Sequence, residues 1–296
     1  LNVILRPMAE TGGEPVGSMG NDTPLAVLSD QPKLLFSYFK QLFAQVTNPA
    51  IDPIREQLVM SLMSYIGREA NLLNETPRNA HLLKLSRPIL TNDDLDKLKG
   101  NQDENFRTRT ISILFDAARG VEGFKDTLEK CYAEAEKAVA DGYALIVLSD
   151  RGIGPDRAAV PSLLAVSAVH HHLIRVGLRT KIGLVIETGE AREVTHFAML
   201  LAFGASAIIP HLAFETVADM AISGKLKAGT TVQDAVDHYI KAIEKGLLKI
   251  FSKMGISTVR SYRGAQMFEA VGIHEEVISS FFPGTASRIG GIRLED

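Results

Sequence analysis

The chain has 296 residues, of which 46% are hydrophobic and 23% charged, and its formal net charge is −3 at pH 7. This length and composition are typical of a globular chain with a large core, organised as one large domain or two ordinary ones. The chain has no excess of basic residues that would indicate nucleic-acid binding. It also has no apolar run long enough to predict a membrane span. Neither nucleic acid nor a membrane is therefore expected as a partner.

The cysteine content excludes several kinds of site. Cys131 is the single cysteine, so this chain cannot build an intrachain disulfide or a multi-cysteine zinc or iron–sulfur site, and no metal site is expected. A lack of disulfides fits a reducing compartment, and cytoplasmic localisation is the expectation. The sequence starts at Leu1 rather than Met, without a signal peptide, so the chain is expected to be a segment of a longer protein.

The first third of the chain gives weak structural signals. Residues 1–24 are rich in Gly, Pro, Asn and Asp, which predicts a glycine-rich loop segment. The apolar run Leu25 to Leu28 predicts a buried strand. Helical spacing of apolar residues predicts one helix over 34–46 and another from Asp52-Pro53 to residue 66. Residues 67–105 are less informative, with a short strand and a capped short helix as the expectations.

From residue 108 the apolar pattern alternates between strands and helices. Strands are predicted at 110–115, 143–148, 182–186 and 205–209, with helices at 124–139, 160–176 and 190–203 between them. A long helix from Thr231 to Met254, a strand at 255–262 and a short helix at 265–271 follow. The predicted fold class is α/β, with parallel βαβ units forming an incomplete or distorted (β/α)8 TIM-barrel-like domain. An open, doubly wound sheet is the alternative.

Polar side chains follow three of the predicted parallel strands. Asp150, Glu187 and His211 come at the carboxyl ends of successive strands, where ligands of parallel sheets lie. Two acids and an imidazole at adjacent strand ends are a candidate polar cluster for a site. The alternative, which we favour, is that these groups cap helices and fix loops by hydrogen bonds.

Two more patterns invite a functional interpretation that their geometry does not support. Gly152-Ile153-Gly154 follows a strand but lacks the third glycine of a dinucleotide-binding loop, and Pro155-Asp156 follows it. His170-His171-His172 are consecutive, so on a helix they point about 100° apart and cannot all face one metal ion. A mixed core and surface role is predicted for these histidines.

Several ordered segments together carry a family resemblance. They are residues 17–29, 38–49, 51–56, 148–152, 170–175, 187–193, 252–258 and 285–291. The chain resembles the central domain of the glutamate synthase large subunit and of its ferredoxin-dependent single-chain relative. The resemblance runs from near residue 13 to the C-terminus and is looser at 67–107. It implies that residues 1–296 are one such central domain, trimmed at its N-terminus.

The resemblance implies a larger enzyme with a divided reaction. In that enzyme a glutaminase domain releases ammonia from glutamine, and the ammonia travels inside the protein to a second site. There it condenses with 2-oxoglutarate, and reduced FMN delivers a hydride to the imine, giving glutamate. FMN and an iron–sulfur cluster are expected in the intact enzyme and neither in this segment. The implied partners are the glutaminase and FMN domains of the same polypeptide and an electron donor, either ferredoxin or a nicotinamide-dependent subunit.

The resemblance also implies roles for residues of this chain. Asn21 and Val16 are expected to line part of the ammonia channel, Asn21 through its amide and Val16 as a wall residue. No residue is expected to be catalytic, and the isolated chain is expected to be inactive. Asp150, Glu187 and His211 become structural groups or relics under this interpretation. A stand-alone flavin- or phosphate-binding barrel enzyme and a pure interaction module remain the alternatives.

Overall fold

The computed structural model describes residues 1–16, 23–42 and 56–296. The α-helices are α1 (Leu5–Thr11), α2 (Glu56–Val59), α3 (Asn92–Lys99), α4 (Gly120–Ala140), α5 (Ser162–Arg175), α6 (Val194–Ala202), α7 (His211–Ile222), α8 (Val232–Met254), α9 (Val259–Tyr262) and α10 (Glu275–Phe281). The strands are β1 (Phe39–Gln41), β2 (Ser64–Ile66), β3 (Leu83–Leu85), β4 (Thr108–Ser112), β5 (Leu114–Asp116), β6 (Leu145–Ser149), β7 (Arg157–Ala159), β8 (Gly183–Glu187), β9 (Ala207–Ile209), β10 (Phe268–Ile273) and β11 (Ala286–Ile292).

A parallel sheet in the order β4-β6-β8-β9 organises the fold. Helices α4, α5 and α6 connect its successive strands, as the predicted βαβ units require. The sheet is extended beyond β9, because the Leu90 N–H donates to the Ile208 carbonyl (3.0 Å) and the Ile208 N–H to that of Pro88 (2.8 Å). Across the described ranges the sheet does not close into a barrel. The predicted fold class, an incomplete barrel-like α/β domain, is confirmed.

Successive side chains of the central strands point to opposite faces of the sheet, so the interior contains two hydrophobic cores. Ile146 and Leu148 of β6 pack in the larger core with the helices, whereas Leu145 and Val147 pack in a smaller core on the other face. The smaller core also contains apolar residues of β2, β3 and α3 and of the segment before α3, namely Ile66, Leu85, Leu90, Leu95 and Leu98. The β2–β3 hairpin and α3 therefore fill the face that the remaining strands of a closed barrel would cover.

A second sheet joins distant parts of the chain in the order β1-β10-β11. Strand β1 pairs antiparallel with β10, so that Gln41 lies opposite Phe268. Strand β10 pairs in parallel with β11, with irregular register on either side of Val271. Phe39, Phe203 and Phe282 pack their rings together under this sheet, with centroids 4.9–5.4 Å apart.

The signals at two helix ends have the predicted effect. At α3 and α8 the N-cap residues Thr91 and Thr231 each accept from a backbone N–H three residues on, and the Asp at that position accepts from the N-cap backbone in return. Gly255 adopts the left-handed conformation and ends α8. The predicted helix from Thr231 to Met254 is confirmed.

In the first third of the chain the structure differs from several predictions. The loop segment predicted over 1–24 contains α1 at Leu5–Thr11. The expected strand at Leu25 to Leu28 is a 3-10 helix at Ala26–Leu28. The expected helix over 34–46 is a 3-10 turn followed by β1, because residues 39–41 find a sheet partner in β10, and residues 43–46 lie outside the described residues. The expected helix from residue 52 to 66 begins outside the described residues and is confirmed in part by α2 at Glu56–Val59, but its end is replaced by β2, which pairs with β3.

Near the C-terminus the structure has a helix where a strand is predicted, and a strand where a helix is predicted. The predicted strand at 255–262 contains α9, and the predicted helix at 265–271 is largely β10, whose side chains alternate in burial. The predicted helix at 190–203 starts only at Val194. Helix α7, which follows β9 directly, has no counterpart among the elements expected from the sequence.

Candidate functional site

The carboxyl ends of β6, β8 and β9 bring the three predicted polar residues to one edge of the sheet. Ser149 and Glu187 are the last residues of β6 and β8 and lie opposite each other in the register of the two strands. Asp150 follows β6 directly, and His211 is the first residue of α7, two residues beyond β9. Asp150 and Glu187 are almost fully buried, at 2% and 1% exposure.

Asp150 joins two loops through both of its carboxylate oxygens. Oδ2 accepts from the Thr188 hydroxyl and from the Gly189 N–H, each at 2.8 Å. Oδ1 lies 2.7 Å from Nε2 of His211, which donates to it. Nδ1 of His211 is buried without a hydrogen-bond partner among the described residues and lies 3.9 Å from Oε1 of Glu215. Asp150 therefore fixes the loop after β8 and the start of α7.

Glu187 is held by a different set of partners. The Ser149 hydroxyl donates to Oε2 at 2.7 Å, the Arg151 Nε donates to Oε1, and Nζ of Lys99 lies 3.9 Å from Oε2. Arg151 also donates to Glu215 at 3.2 Å and to the Asn92 side chain at 2.9 Å. Asn92 and Lys99 are the first and last residues of α3. These contacts therefore hold both ends of α3 against the carboxyl ends of β6 and β8.

In this arrangement both carboxylates are engaged by groups of the protein itself. The oxygens of Asp150 and Glu187 accept from the protein's own donors, which satisfies buried charges that would otherwise be costly. In the described part of the chain no group of three His, Cys, Asp or Glu side chains is placed to hold a metal ion. The contacts agree with the helix-capping and loop-fixing interpretation.

The sequence pointed to the acids but not to all their partners. Arg151 follows Asp150 directly and could have been included in the cluster. Lys99, Asn92 and Glu215 come from α3 and α7, and only tertiary packing brings them to the strand ends. Of the two predicted channel residues, Val16 is half-buried, and Asn21 lies outside the described residues.

The three consecutive histidines point in different directions. His170 is buried and accepts from the Arg179 Nε at 2.7 Å, whereas His171 donates from Nδ1 to the Ser167 carbonyl at 2.9 Å. His172 lies 2.7 Å from Glu136 and stacks on Tyr132. They therefore serve packing and local hydrogen bonding on three sides of α5.

Two buried histidines give the fold a predicted acid sensitivity. Burial, followed by nearby arginines, lowers the pKa of His170 to about 2 and that of His196 to about 3. Both stay neutral in the folded chain, whereas in the unfolded chain each binds a proton below pH ~6.5. The unfolded state therefore binds more protons in this window. The two groups together are expected to lower the free energy of unfolding by about 3 kcal/mol between pH ~6.5 and ~5.

Urea unfolding at several pH values measures this dependence, and His196→Asn isolates one of the two groups. The variant should lose about half of the slope of unfolding free energy against pH, whatever its own stability. An unchanged slope would show that His196 does not titrate on unfolding.

The residues present do not fit the cofactors that the resemblance implies for the intact enzyme. Cys131 is buried, its thiol donates to the Ser112 carbonyl at 3.8 Å, and burial raises its pKa to about 12, so it is unsuited to ligate a cluster. At the strand ends, where a barrel enzyme binds a flavin phosphate, Arg151 and Lys99 are already paired with Glu187 and Arg151 also with Glu215, so these cations are not free to bind a phosphate. Within the described ranges no helix is both long and apolar enough to cross a bilayer.

Comparison with known proteins identifies the family. The family described as glutamate synthase central domain matches residues 1–274. The chain is 50% identical to the NADPH glutamate synthase large chain of Bacillus subtilis, covering 98% of this chain and 19% of that one. It is 48% identical to the NADH glutamate synthase of Schizosaccharomyces pombe, covering 100% of this chain and 14% of that one. It is 45% identical to the chloroplastic ferredoxin-dependent glutamate synthase 2 of Arabidopsis thaliana, covering 100% and 19%.

The chain thus spans about a fifth or less of the length of these curated relatives. Among solved structures, the flavin-binding domain of baker's yeast flavocytochrome b2 resembles it distantly, with a TM-score of 0.40 and 15% identity over 72% of this chain and 44% of that one. A mandelate oxidase variant gives a TM-score of 0.35 and 12% identity over 73% and 95%. On the family match and the curated relatives, this chain belongs to the glutamate synthase central domain family.

Proposed function

We propose that this chain is the non-catalytic central domain of a glutamate synthase and links the glutaminase and FMN domains of the same polypeptide. The observation that carries the proposal is the similarity of nearly the whole chain, at 45–50% identity, to glutamate synthases of three kinds. The intact enzyme would convert glutamine, 2-oxoglutarate and reducing equivalents into two molecules of glutamate.

The electron donor is selected outside this segment under the proposal. The identity is 50% to an NADPH enzyme, 48% to an NADH enzyme and 45% to a ferredoxin-dependent enzyme. Near-equal similarity to all three supports a task that they share. Linking two catalytic domains is such a task, whereas recognition of one electron donor is not.

The non-catalytic character of this segment is argued from its own groups. Asp150 and Glu187 are committed to internal hydrogen bonds, and Cys131 is a buried thiol whose hydrogen bond goes to a backbone carbonyl rather than to a base. The isolated chain is therefore expected neither to hydrolyse glutamine nor to form glutamate. The pairing of Arg151 and Lys99 with Glu187 at the strand ends also disfavours the alternative of a stand-alone flavin- or phosphate-binding barrel.

The second part of the proposal is a share in the ammonia channel. Residues 17–29 belong to the sequence resemblance, and Asn21 lies within them. An amide side chain can exchange hydrogen bonds with neutral ammonia without protonating it, which a channel requires. Val16 would contribute apolar wall.

Substitution of Asn21 in an intact glutamate synthase tests the channel. Asn21→Ala is expected to let ammonia escape, because the wall loses a hydrogen-bonding group, so the glutamine hydrolysed per 2-oxoglutarate consumed should rise above one. Parallel assays of glutamine hydrolysis and reductant oxidation measure this ratio. Asn74→Ala, which removes an exposed asparagine amide outside the proposed channel residues, serves as the matched control and should keep the ratio near one. A ratio unchanged by Asn21→Ala would remove Asn21 from the proposed channel.

A further inference from the structure

Three arginines meet at the amino end of the central sheet, opposite to the edge that holds Asp150 and Glu187. Arg179 lies just before β8, Arg260 lies in α9, and Arg263 follows α9. The Glu69 N–H donates to the carbonyl of Thr180, next to Arg179, at 2.9 Å, and the Glu69 carboxylate accepts from Arg260 at 3.0 Å. These contacts bring the Glu69 carboxylate to Arg260 and place Glu69 beside the segment that carries Arg179.

Arg179 donates its hydrogen bonds to neutral acceptors. Its Nε donates to Nδ1 of His170 at 2.7 Å, and its terminal nitrogens donate to the carbonyls of Ile182 (2.9 Å) and Gly204 (2.8 Å). Since His170 accepts at Nδ1, its ring is neutral and adds no negative charge. Arg179 thus has no carboxylate partner among the described residues. Burial, followed by the charge of Arg263, lowers its pKa to about 9.

Arg263 is the second uncompensated group. Its Nε is buried and donates to no acceptor among the described residues. Burial and the charge of Arg260 lower its pKa, and Glu69 only partly offsets them. Within the part of the chain that the structure describes, Glu69 pairs with Arg260 and is the one acidic group that raises the pKa of both Arg179 and Arg263, although the overall charge of the chain is negative.

A buried cation without an anionic partner destabilises a folded protein, and a bidentate oxyanion is the ligand whose geometry guanidinium groups match. We infer that Arg179, Arg260 and Arg263 form a binding site for a small oxyanion, a phosphate or a carboxylate group. The inference concerns this chain's own residues and stands whether or not the proposed function holds.

Phosphate binding to the chain tests the inference directly. Sodium phosphate should raise the midpoint of thermal unfolding at millimolar concentration, because a ligand that binds only the folded state stabilises it by mass action. Sodium chloride at equal ionic strength should not reproduce the shift. Calorimetric titration with inorganic phosphate gives the dissociation constant. No shift beyond that of chloride would overturn the inference.

Removing a positive charge and removing a negative charge are expected to change the phosphate affinity in opposite directions. Arg263→Gln and Arg260→Gln should each weaken phosphate binding by about fivefold or more, because each removes a positive charge near the anion. Glu69→Gln should tighten it by about the same factor, because it removes the competing carboxylate. Arg119→Gln, which removes an exposed arginine paired with Asp126 elsewhere, should leave the affinity unchanged. Should Arg263→Gln fail to fold, Arg260→Gln decides, because its side chain is 64% exposed.

Equal affinity in Arg260→Gln and the unsubstituted chain, or weaker binding in Glu69→Gln, would overturn the site. The same titration on an intact glutamate synthase distinguishes the two sources of the oxyanion. Phosphate binding to both proteins indicates a free anion, whereas binding to this chain alone indicates that a carboxylate of the longer polypeptide fills the site.

Discussion

Gly204→Ala is expected to destabilise the folded chain by about 4 kcal/mol or more, enough to prevent stable folding in a protein of ordinary stability. A β-carbon at this position would collide with the ring of His170, lying 2.5 Å from its Nδ1. Gly204 also has a φ of +126°, which side chains rarely adopt. Neither His170 nor Gly204 can move freely, because Arg179 donates to the His170 ring and to the Gly204 carbonyl.

Chemical unfolding of the variant and of Gly177→Ala measures this effect. Gly177 also has a positive φ, of +72°, but no atom of the described residues lies within 4 Å of the position of its added β-carbon. The control therefore carries the backbone cost without the collision and should lose only about 1 kcal/mol. Equal losses in the two variants would show that the contact with His170 is relieved at little cost.

The central sheet was predictable because its strands carry their own signal. A strand buried on both faces is a continuous apolar run, as in β6 and β8, and needs no knowledge of its partner. Strand β1 is not such a continuous apolar run. Its three residues lie within helical apolar spacing, and their strand conformation comes from pairing with β10, which is remote in sequence. Local pattern cannot report such a partner.

The polar cluster at the strand ends could likewise be predicted only in part. Asp150 and Glu187 were predicted because polar residues after parallel strands must share one edge of a sheet. Their roles could not be predicted, since Lys99 and Asn92 approach from α3 and Glu215 from α7, which had no sequence signal. Which acids are satisfied by the protein itself is decided by tertiary contacts, and these separate a structural carboxylate from a catalytic one.

Glu187→Ala is expected to lower the free energy of unfolding by about 3–5 kcal/mol, because it removes the buried anion that Arg151 and Lys99 face. The Ser149 hydroxyl loses its acceptor as well. Glu187→Gln keeps the shape but not the charge and should lose less. Glu215→Gln is the matched control, since Glu215 also accepts from Arg151 but is 54% exposed, and it should cost no more than about 1 kcal/mol.

The same substitution separates a structural from a catalytic role in an intact glutamate synthase. If Glu187 holds α3 to the strand ends, Glu187→Gln should lower the temperature at which activity is lost and leave kcat of the folded enzyme within about twofold. A general acid or base would give the opposite pattern, a fall in kcat of about a hundredfold or more at nearly unchanged stability. Assaying kcat well below the unfolding midpoint, beside Glu215→Gln, keeps the two effects apart. A large loss of kcat there would place this domain among the catalytic parts of the enzyme.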